Sequence, residues 1–126
     1  MRLLLDTVTF IWFIGSPHRL SSVAAKSIES KSVAVEISSI SISEIALKHA
    51  KGKLNLPKEN ILIAIDRLAL RVLPYTAAHA YQFFDLPVHH VDPFDRMIIA
   101  QALAEEIPVV TSDSQFRHYR NLEVIW

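Results

Sequence analysis

Five short segments compatible with β-strands alternate along the chain with segments of helical periodicity. The predicted strands are residues 3–5, 33–38, 71–74, 108–111 and 122–125. Strands that alternate with helices indicate a mainly parallel sheet, because each crossover between parallel strands carries a helix. We therefore predict an α/β fold, with a central sheet of four to five short strands and helices on both faces.

Helix-start signals and apolar periodicity place the intervening helices. The predicted helices are residues 7–14, 22–30, 41–51, 58–69, 76–84, 92–106 and 113–119. The clearest start is Asp92 followed by Pro93, an acidic cap with proline at the first helical position. Ser41 and Glu44 are spaced as in a capping box, which predicts a helix that begins at Ser41.

Length and composition exclude several classes of protein. The 126 residues fit a single domain, residues 1–126. Thirteen basic residues balance 13 acidic ones, which argues against a protein that coats nucleic acid by neutralising phosphates. The absence of cysteine excludes disulfides, thiolate metal sites and a cysteine nucleophile. With only Gly15 and Gly52, the chain has no glycine-rich phosphate loop.

The hydrophobic content bears on location and partners. No segment reaches the roughly 18 apolar residues of a membrane span. The apolar run near the amino terminus is interrupted by Asp6 and lacks a clear signal-peptide cleavage site. We therefore expect a cytoplasmic protein that does not enter a membrane. The apolar fraction of 51% fits either a well-filled core or a surface covered by a partner.

Three acidic residues are placed where parallel sheets form their ligand sites. Asp6 ends the first predicted strand, Asp113 follows the fourth, and Glu44 lies early in the helix after the second. The carboxyl ends of parallel strands share one edge, so we expect these side chains to meet there. Grouped carboxylates repel each other unless a cation is bound, and oxygen-only ligands suit Mg²⁺ or Mn²⁺.

Each of these acids also has a purely structural interpretation. Glu44 fits the third position of a capping box, Asp113 could cap its short helix, and Asp92 could cap the helix that it precedes. Asp95 could be a favourable charge in that helix's first turn, and the strand-end rule does not place it at the site. The joint placement of the acids nevertheless favours a shared site.

Four motifs in order resemble those of a known family. They are Leu4-Leu5-Asp6-Thr7, Ser43-Glu44-Ile45-Ala46, the stretch from Asp92 to Ala102, and Thr111-Ser112-Asp113. They resemble the successive motifs of PIN domains, and the resemblance covers essentially the whole chain. The likeness is greatest to the VapC-type toxins of bacterial toxin–antitoxin pairs, and His89-His90 also fits that subgroup.

The resemblance implies a Mg²⁺-dependent endoribonuclease, with Mn²⁺ as an alternative ion and water as the nucleophile. It also implies an RNA substrate, a small antitoxin partner and a homodimer. The implied catalytic and metal-binding residues are Asp6, Glu44, Asp95 and Asp113. The candidates for supporting roles are Thr7, Asp92, Thr111 and Ser112, with Asp92 expected mainly to cap its helix. The candidates for contacts with RNA phosphates are Lys48, Lys53 and Arg96.

The chain departs from the subgroup at three positions. Val8 stands where histidine is frequent, Ser43 where tryptophan is common, and Val91 where arginine is frequent. None of these changes removes a carboxylate, so they concern substrate contacts more than the metal site. Adjacent His89 and His90 usually point in different directions, and the sequence favours a surface loop there over a transition-metal site.

Two other functions stay open at this stage. A strand-terminal aspartate such as Asp6 can be the nucleophile of an aspartyl-phosphate-forming phosphatase. The haloacid-dehalogenase-like arrangement has a second aspartate two residues later, where this chain has Val8. The other alternative is a catalytically inactive PIN-like protein that only binds a partner.

Overall fold

The computed structural model describes all 126 residues and confirms the α/β architecture. The strands are β1 (Arg2–Leu5), β2 (Ala34–Ser38), β3 (Arg71–Leu73), β4 (Val109–Val110) and β5 (Val124–Ile125). The helices are α1 (Thr7–Gly15), α2 (Ser22–Glu29), α3 (Ser39–Ala50), α4 (Lys58–Arg67), α5 (Ala77–Phe84) and α6 (Pro93–Glu105). Two 3₁₀ helices span Pro17–Arg19 and Ser114–His118.

The five strands form one parallel sheet in the order β3-β2-β1-β4-β5. Leu5, at the end of β1, is paired with Ile37 on β2 and with Val110 on β4. The chain builds the sheet outward from β1 in one direction and then in the other, so the order reverses between β1 and β4. Such a reversal opens a crevice at the carboxyl ends of the two strands.

The central strand β1 separates two hydrophobic cores. Leu3 and Leu5 point into one core, which Phe10 of α1, Ile45 of α3 and residues of α2 and α4 complete. Leu4 points into the other core, made mainly by α6 and the Ser114–His118 segment. This alternation explains why β1 reads as a continuous apolar run, since both faces of the strand are covered. No helix has the length and hydrophobicity that a membrane-spanning segment requires.

The predicted start of α3 is wrong by two residues. The helix begins at Ser39, and the hydroxyl of Ser38 accepts the backbone N–H of Ile40 at 2.9 Å. Strand β2 therefore passes directly into the helix without a loop. Ser41 is not a cap but a buried residue inside the helix, and the capping-box interpretation of Glu44 falls with it.

An ionic network ties the amino-terminal edge of the sheet to α6. The guanidinium of Arg2 binds both carboxylate oxygens of Glu36, at 2.5 and 2.9 Å, and Oε1 of Glu105 at 3.0 Å. The other oxygen of Glu105 lies 2.9 Å from Nε2 of the buried His79. The end of α6 is thus fixed at the edge where the strands begin, so its first turn lies at the opposite edge.

We expect Glu105→Gln to lower the free energy of unfolding by about 1 kcal/mol at pH 7, because the pair with Arg2 is partly exposed. Hydrogen bonds from His79 and Arg2 lower the pKa of Glu105 below its ordinary value of 4.5. Its stabilising effect is therefore present above pH 4.5 and is lost as the pH falls through the lowered pKa. Urea unfolding of the wild type and Glu105→Gln at pH 7 and pH 3.5 tests this prediction. A difference in the free energy of unfolding that is equal at the two pH values would contradict it.

Candidate metal centre

Asp6 is held rigidly between β1 and α1. It is the residue before α1, and its Oδ1 accepts the backbone N–H of Thr9 at 2.9 Å. Its Oδ2 accepts the hydroxyl of Thr111 at 2.6 Å. The side chain is almost fully buried, and burial raises its pKa although the hydrogen bonds from Thr111 and Thr9 oppose that effect. Each oxygen keeps a lone pair that these bonds do not use.

Asp113 is joined to Asp6 through a shared neighbour. It lies beyond the end of β4, and its backbone N–H donates to the hydroxyl oxygen of Thr111 at 3.0 Å. Its Oδ1 caps the following 3₁₀ helix by accepting the backbone N–H of Gln115 at 2.9 Å. Thr111 therefore orients the carboxylate of Asp6 and fixes the backbone of Asp113, whereas Ser112 is exposed and forms no such bond.

Glu44 reaches the same region from the middle of α3. It is 4% exposed, and its Oε1 accepts the hydroxyl of Thr7 at 2.7 Å. The hydroxyl of Ser41 lies 2.9 Å from that of Thr7 and completes the buried group. Thr7 follows Asp6 directly, so the first turn of α1 positions one acid and orients another. Thr7 and Thr111 thus have the geometry of supporting residues.

Asp95 lies in the first turn of α6, at the edge where the strands end. Burial, together with the negative charges of Asp92, Asp6 and Glu44, raises its pKa to about 7. Asp92 caps α6 as predicted, with its Oδ1 accepting the backbone N–H of Phe94 at 2.9 Å. Asp92 is also the acid with the largest charge effect on Asp95. Asp6 and Glu44 are thus near enough for their charges to act on Asp95.

The structure adds His90, which the sequence analysis assigned to a surface loop. His90 is 6% exposed, whereas its neighbours His89 and Val91 are exposed. Its Nε2 lies 2.8 Å from Oδ2 of Asp113 and 3.3 Å from Oδ2 of Asp95. The prediction of a surface position is wrong for this residue, because its ring turns inward and packs edge-on against Phe116.

Two of the three predicted phosphate-binding residues are engaged within the chain. The ammonium of Lys48 binds Oε2 of Glu44 at 2.7 Å, and this bond raises the pKa of the lysine. The guanidinium of Arg96 lies over the ring of Phe83 and donates to the carbonyl of Leu86 at 3.2 Å. Lys53 is exposed after the end of α3. The geometry thus favours an internal role for Lys48 and Arg96.

The donor set fits a hard divalent cation. A carboxylate oxygen of Asp95, a carboxylate oxygen of Asp113 and a ring nitrogen of His90 lie within 4.8 Å of one another. Burial and the repulsion from the charges of Asp92, Asp6 and Glu44 together raise the pKa of Asp95 to about 7. A divalent cation removes that repulsion, and a site rich in carboxylate oxygens favours Mg²⁺ or Mn²⁺.

Comparison with known proteins agrees with this geometry. A family model for the PIN domain matches residues 3–122. The chain belongs to the PIN domain family. PIN domains are generally nucleases, and they typically use a divalent metal. In this PIN domain, the carboxylates of Asp6, Asp95 and Asp113 stand at the crevice between β1 and β4.

Several solved structures share the fold of this PIN domain over nearly its whole length. A chain of VapBC2 from Rickettsia felis, bound to a promoter DNA fragment, matches with a TM-score of 0.78 and 22% identity, covering 98% of this chain and 97% of that one. A chain of DNA-bound VapBC from Salmonella typhimurium matches with a TM-score of 0.73 and 22% identity, covering 98% of this chain and 96% of that one. A third match is a chain of VapBC-5 from Mycobacterium tuberculosis, a member of the VapBC family of toxin–antitoxin systems. Its TM-score is 0.64 and its identity 18%, and the match covers 98% of this chain and 96% of that one. No functionally curated protein matches the chain.

Proposed function

We propose that the protein is an endoribonuclease that depends on Mg²⁺ or Mn²⁺ and acts as the toxin of a toxin–antitoxin pair. The observation that carries the proposal is the approach of Asp95 and Asp113 to within 4.8 Å, close to the carboxyl ends of β1 and β4. The charges of Asp6 and Glu44 also act on Asp95, so we assign the site to Asp6, Glu44, Asp95 and Asp113. A buried acidic group of this kind destabilises the metal-free fold, and its energetic cost is understandable at a functional site.

The proposed mechanism assigns the four acids to holding one or two cations. When bound, a divalent cation activates water and stabilises negative charge on the departing oxygen. Thr111 keeps the carboxylate of Asp6 in a fixed orientation and holds the backbone of Asp113, and Thr7 orients the carboxylate of Glu44. The buried hydrogen bonds limit the movement of these side chains, so the site is preorganised before substrate arrives.

Cleavage of a structured RNA by the purified chain tests the proposal. We expect cleavage with Mg²⁺ or Mn²⁺, its loss in EDTA, and its recovery when the ion is restored. Because water is the nucleophile, the products should carry no 2′,3′-cyclic phosphate, and 2′-O-methyl groups at the cleaved positions should still permit the reaction. Cleavage that persists in EDTA, or that yields cyclic phosphates, would contradict the proposal.

Lys48 provides a more specific prediction. Its ammonium neutralises part of the charge of Glu44, so Lys48→Met should make the site more attractive to a cation. We expect the Mg²⁺ concentration for half-maximal cleavage to fall about fivefold, which corresponds to about 1 kcal/mol for an exposed ion pair. Lys51→Met, at an exposed lysine just beyond the helix, is the matched control. An unchanged Mg²⁺ requirement in Lys48→Met would argue against this role.

The toxin assignment is supported by the fold shared with VapBC structures and by an exposed apolar groove. The groove lies between α1 and α4, has a volume of about 600 Å³, and is lined by Phe13, Leu56 and Ile63 among others. We propose that a small antitoxin covers it, and that the protein is a cytoplasmic homodimer. Expression should arrest growth, and co-expression of a short reading frame adjoining the gene should relieve the arrest. If expression caused no growth arrest and no adjoining short reading frame had an effect, the toxin role would be contradicted, whereas the nuclease role would not.

The alternatives predict different results in the same assays. An inactive partner-binding protein would leave RNA uncut at every ion concentration while still binding its antitoxin. An aspartyl-phosphate-forming phosphatase would release phosphate from small phosphomonoesters and become labelled at Asp6. The position two residues after Asp6 is the exposed Val8, so the second aspartate of that chemistry is missing.

A further inference from the structure

His90 has a geometry that the four-acid site does not by itself explain. It lies in the connection between α5 and α6, where its backbone N–H donates to the hydroxyl of Tyr119 at 2.8 Å. Phe116 packs against the ring face-to-edge, with centroids 5.7 Å apart. The ring is therefore fixed by residues that follow β4, close to Asp113. It is not a solvated side chain that happens to lie near the acids.

The hydrogen bond at Nδ1 determines which ring nitrogen carries the proton. The backbone N–H of Asp92 donates to Nδ1 of His90 at 3.1 Å. A nitrogen that accepts a hydrogen bond carries no proton, so in the neutral ring the proton lies on Nε2. Nε2 therefore donates to Asp113 and has no lone pair in the ring plane for a metal ion.

We propose that His90 is a positioning residue that fixes the carboxylate of Asp113 beside Asp95 through the N–H at Nε2, rather than a ligand of the metal. Nε2 donates to Oδ2 of Asp113 at 2.8 Å and lies 3.3 Å from Oδ2 of Asp95, within ion-pair distance. The two acids come from different elements, and no other side chain forms a hydrogen bond or ion pair with both. The proposal rests on the proposed metal-dependent function and deepens it.

Fixing these carboxylates has a direct consequence for the affinity of the site. Without this donor, the bond from Gln115 to Oδ1 is the only one left on the carboxylate of Asp113, which can then turn away from Asp95, and cation binding must restore the productive geometry. Removal of a group that orients metal ligands typically weakens metal binding about 10-fold to 100-fold. His90 should therefore control metal affinity without contacting the metal.

Two substitutions separate the two hydrogen bonds of the ring. In His90→Asn, the amide oxygen can replace Nδ1 and accept the N–H of Asp92, but the side chain is too short to reach the carboxylates. In His90→Gln, the amide nitrogen can take the place of Nε2 and donate to Asp113. His89→Ala, at the exposed neighbouring histidine, is the matched control.

The test is Mn²⁺ binding to the full chain, measured by electron paramagnetic resonance after EDTA treatment and dialysis. We expect His90→Asn to bind Mn²⁺ about tenfold more weakly, with His90→Gln and His89→Ala within about twofold of the wild type. In pulsed experiments, the wild-type Mn²⁺ signal should lack the strong coupling of a directly bound histidine nitrogen. Thermal melts of each variant check that the fold is retained.

Two outcomes would overturn the inference. One is wild-type affinity in His90→Asn, and the other is direct nitrogen coupling in the wild type, which would make His90 a ligand. If the wild type itself bound no Mn²⁺, the proposed function would fail, and the role of His90 would fail with it. Wild-type binding together with unaffected His90→Asn would refute only the positioning role.

Discussion

Asp6→Asn should reduce the rate of RNA cleavage by about 10³-fold or more, which corresponds to a loss of about 4 kcal/mol of transition-state stabilisation. Asp6 is the acid most firmly built into the structure, because both of its oxygens are held by hydrogen bonds from Thr9 and Thr111. The substitution removes one negative charge from the centre of the cluster and weakens its hold on a cation.

The fold should tolerate this substitution. Asparagine retains an oxygen that can cap α1 by accepting the N–H of Thr9, and its amide group can donate to the hydroxyl oxygen of Thr111. We therefore expect a metal-free melting temperature equal to or above that of the wild type. Asp66→Asn, at an exposed position on α4, is the matched control and should cleave normally. Wild-type cleavage by Asp6→Asn would contradict the proposed mechanism.

Asp95→Asn should stabilise the metal-free protein by about 2–4 kcal/mol at pH 7.5. The folded state raises the pKa of Asp95 from 3.8 to about 7, and each unit corresponds to about 1.4 kcal/mol. Between these values the folded protein binds a proton that the unfolded chain has released, so wild-type stability falls as the pH rises from about 4 to 7. Asparagine does not titrate, so it removes this contribution.

Urea unfolding in EDTA at several pH values between 4.5 and 7.5 measures the effect. The free energy of unfolding of the wild type should fall more steeply with pH than that of Asp95→Asn, by about 1.4 kcal/mol per pH unit. Saturating Mg²⁺ should reduce the difference in the free energy of unfolding between Asp95→Asn and the wild type, because the ion stabilises the folded wild-type site. Parallel curves for the two proteins would show that the environment of Asp95 is not as described.

The sequence predicted the sheet and two of the four acids from simple rules. Apolar runs that end in Asp6 and precede Asp113 are sufficient to place these residues at the carboxyl edge of a parallel sheet. Glu44 was expected at the same edge, but for a partly wrong reason. Its helix begins at Ser39, so Glu44 reaches the site from the middle of the helix rather than from a capping position.

Asp95 could have been placed with one further step. In a parallel α/β fold, the helix that leads into a strand runs antiparallel to it and begins at the edge where the strands end. Since α6 leads into β4, its first turn must lie beside Asp6 and Asp113. The strand-end rule considers only residues that follow a strand. For this reason, Asp95 was predicted as a site residue from the family resemblance alone.

His90 was beyond the reach of local sequence rules. The sequence contains two adjacent histidines, and only one of them turns inward. The inward orientation of His90 depends on residues that lie almost 30 positions later. The hydroxyl of Tyr119 accepts the backbone N–H of His90, and Phe116 packs against its ring. Tertiary contacts of this range are not encoded in a pattern that can be read along the chain.

The position of a bound ion shows whether the acidic cluster holds a divalent cation, as the proposed mechanism requires. Crystals of the protein soaked in MnCl₂ should give an anomalous difference peak at the crevice between β1 and β4. We expect the peak to lie within bonding distance of carboxylate oxygens of Asp6, Asp95 and Asp113. A cleaving protein whose Mn²⁺ peak lay elsewhere, or whose acidic cluster stayed empty at saturating Mn²⁺, would contradict the proposed mechanism.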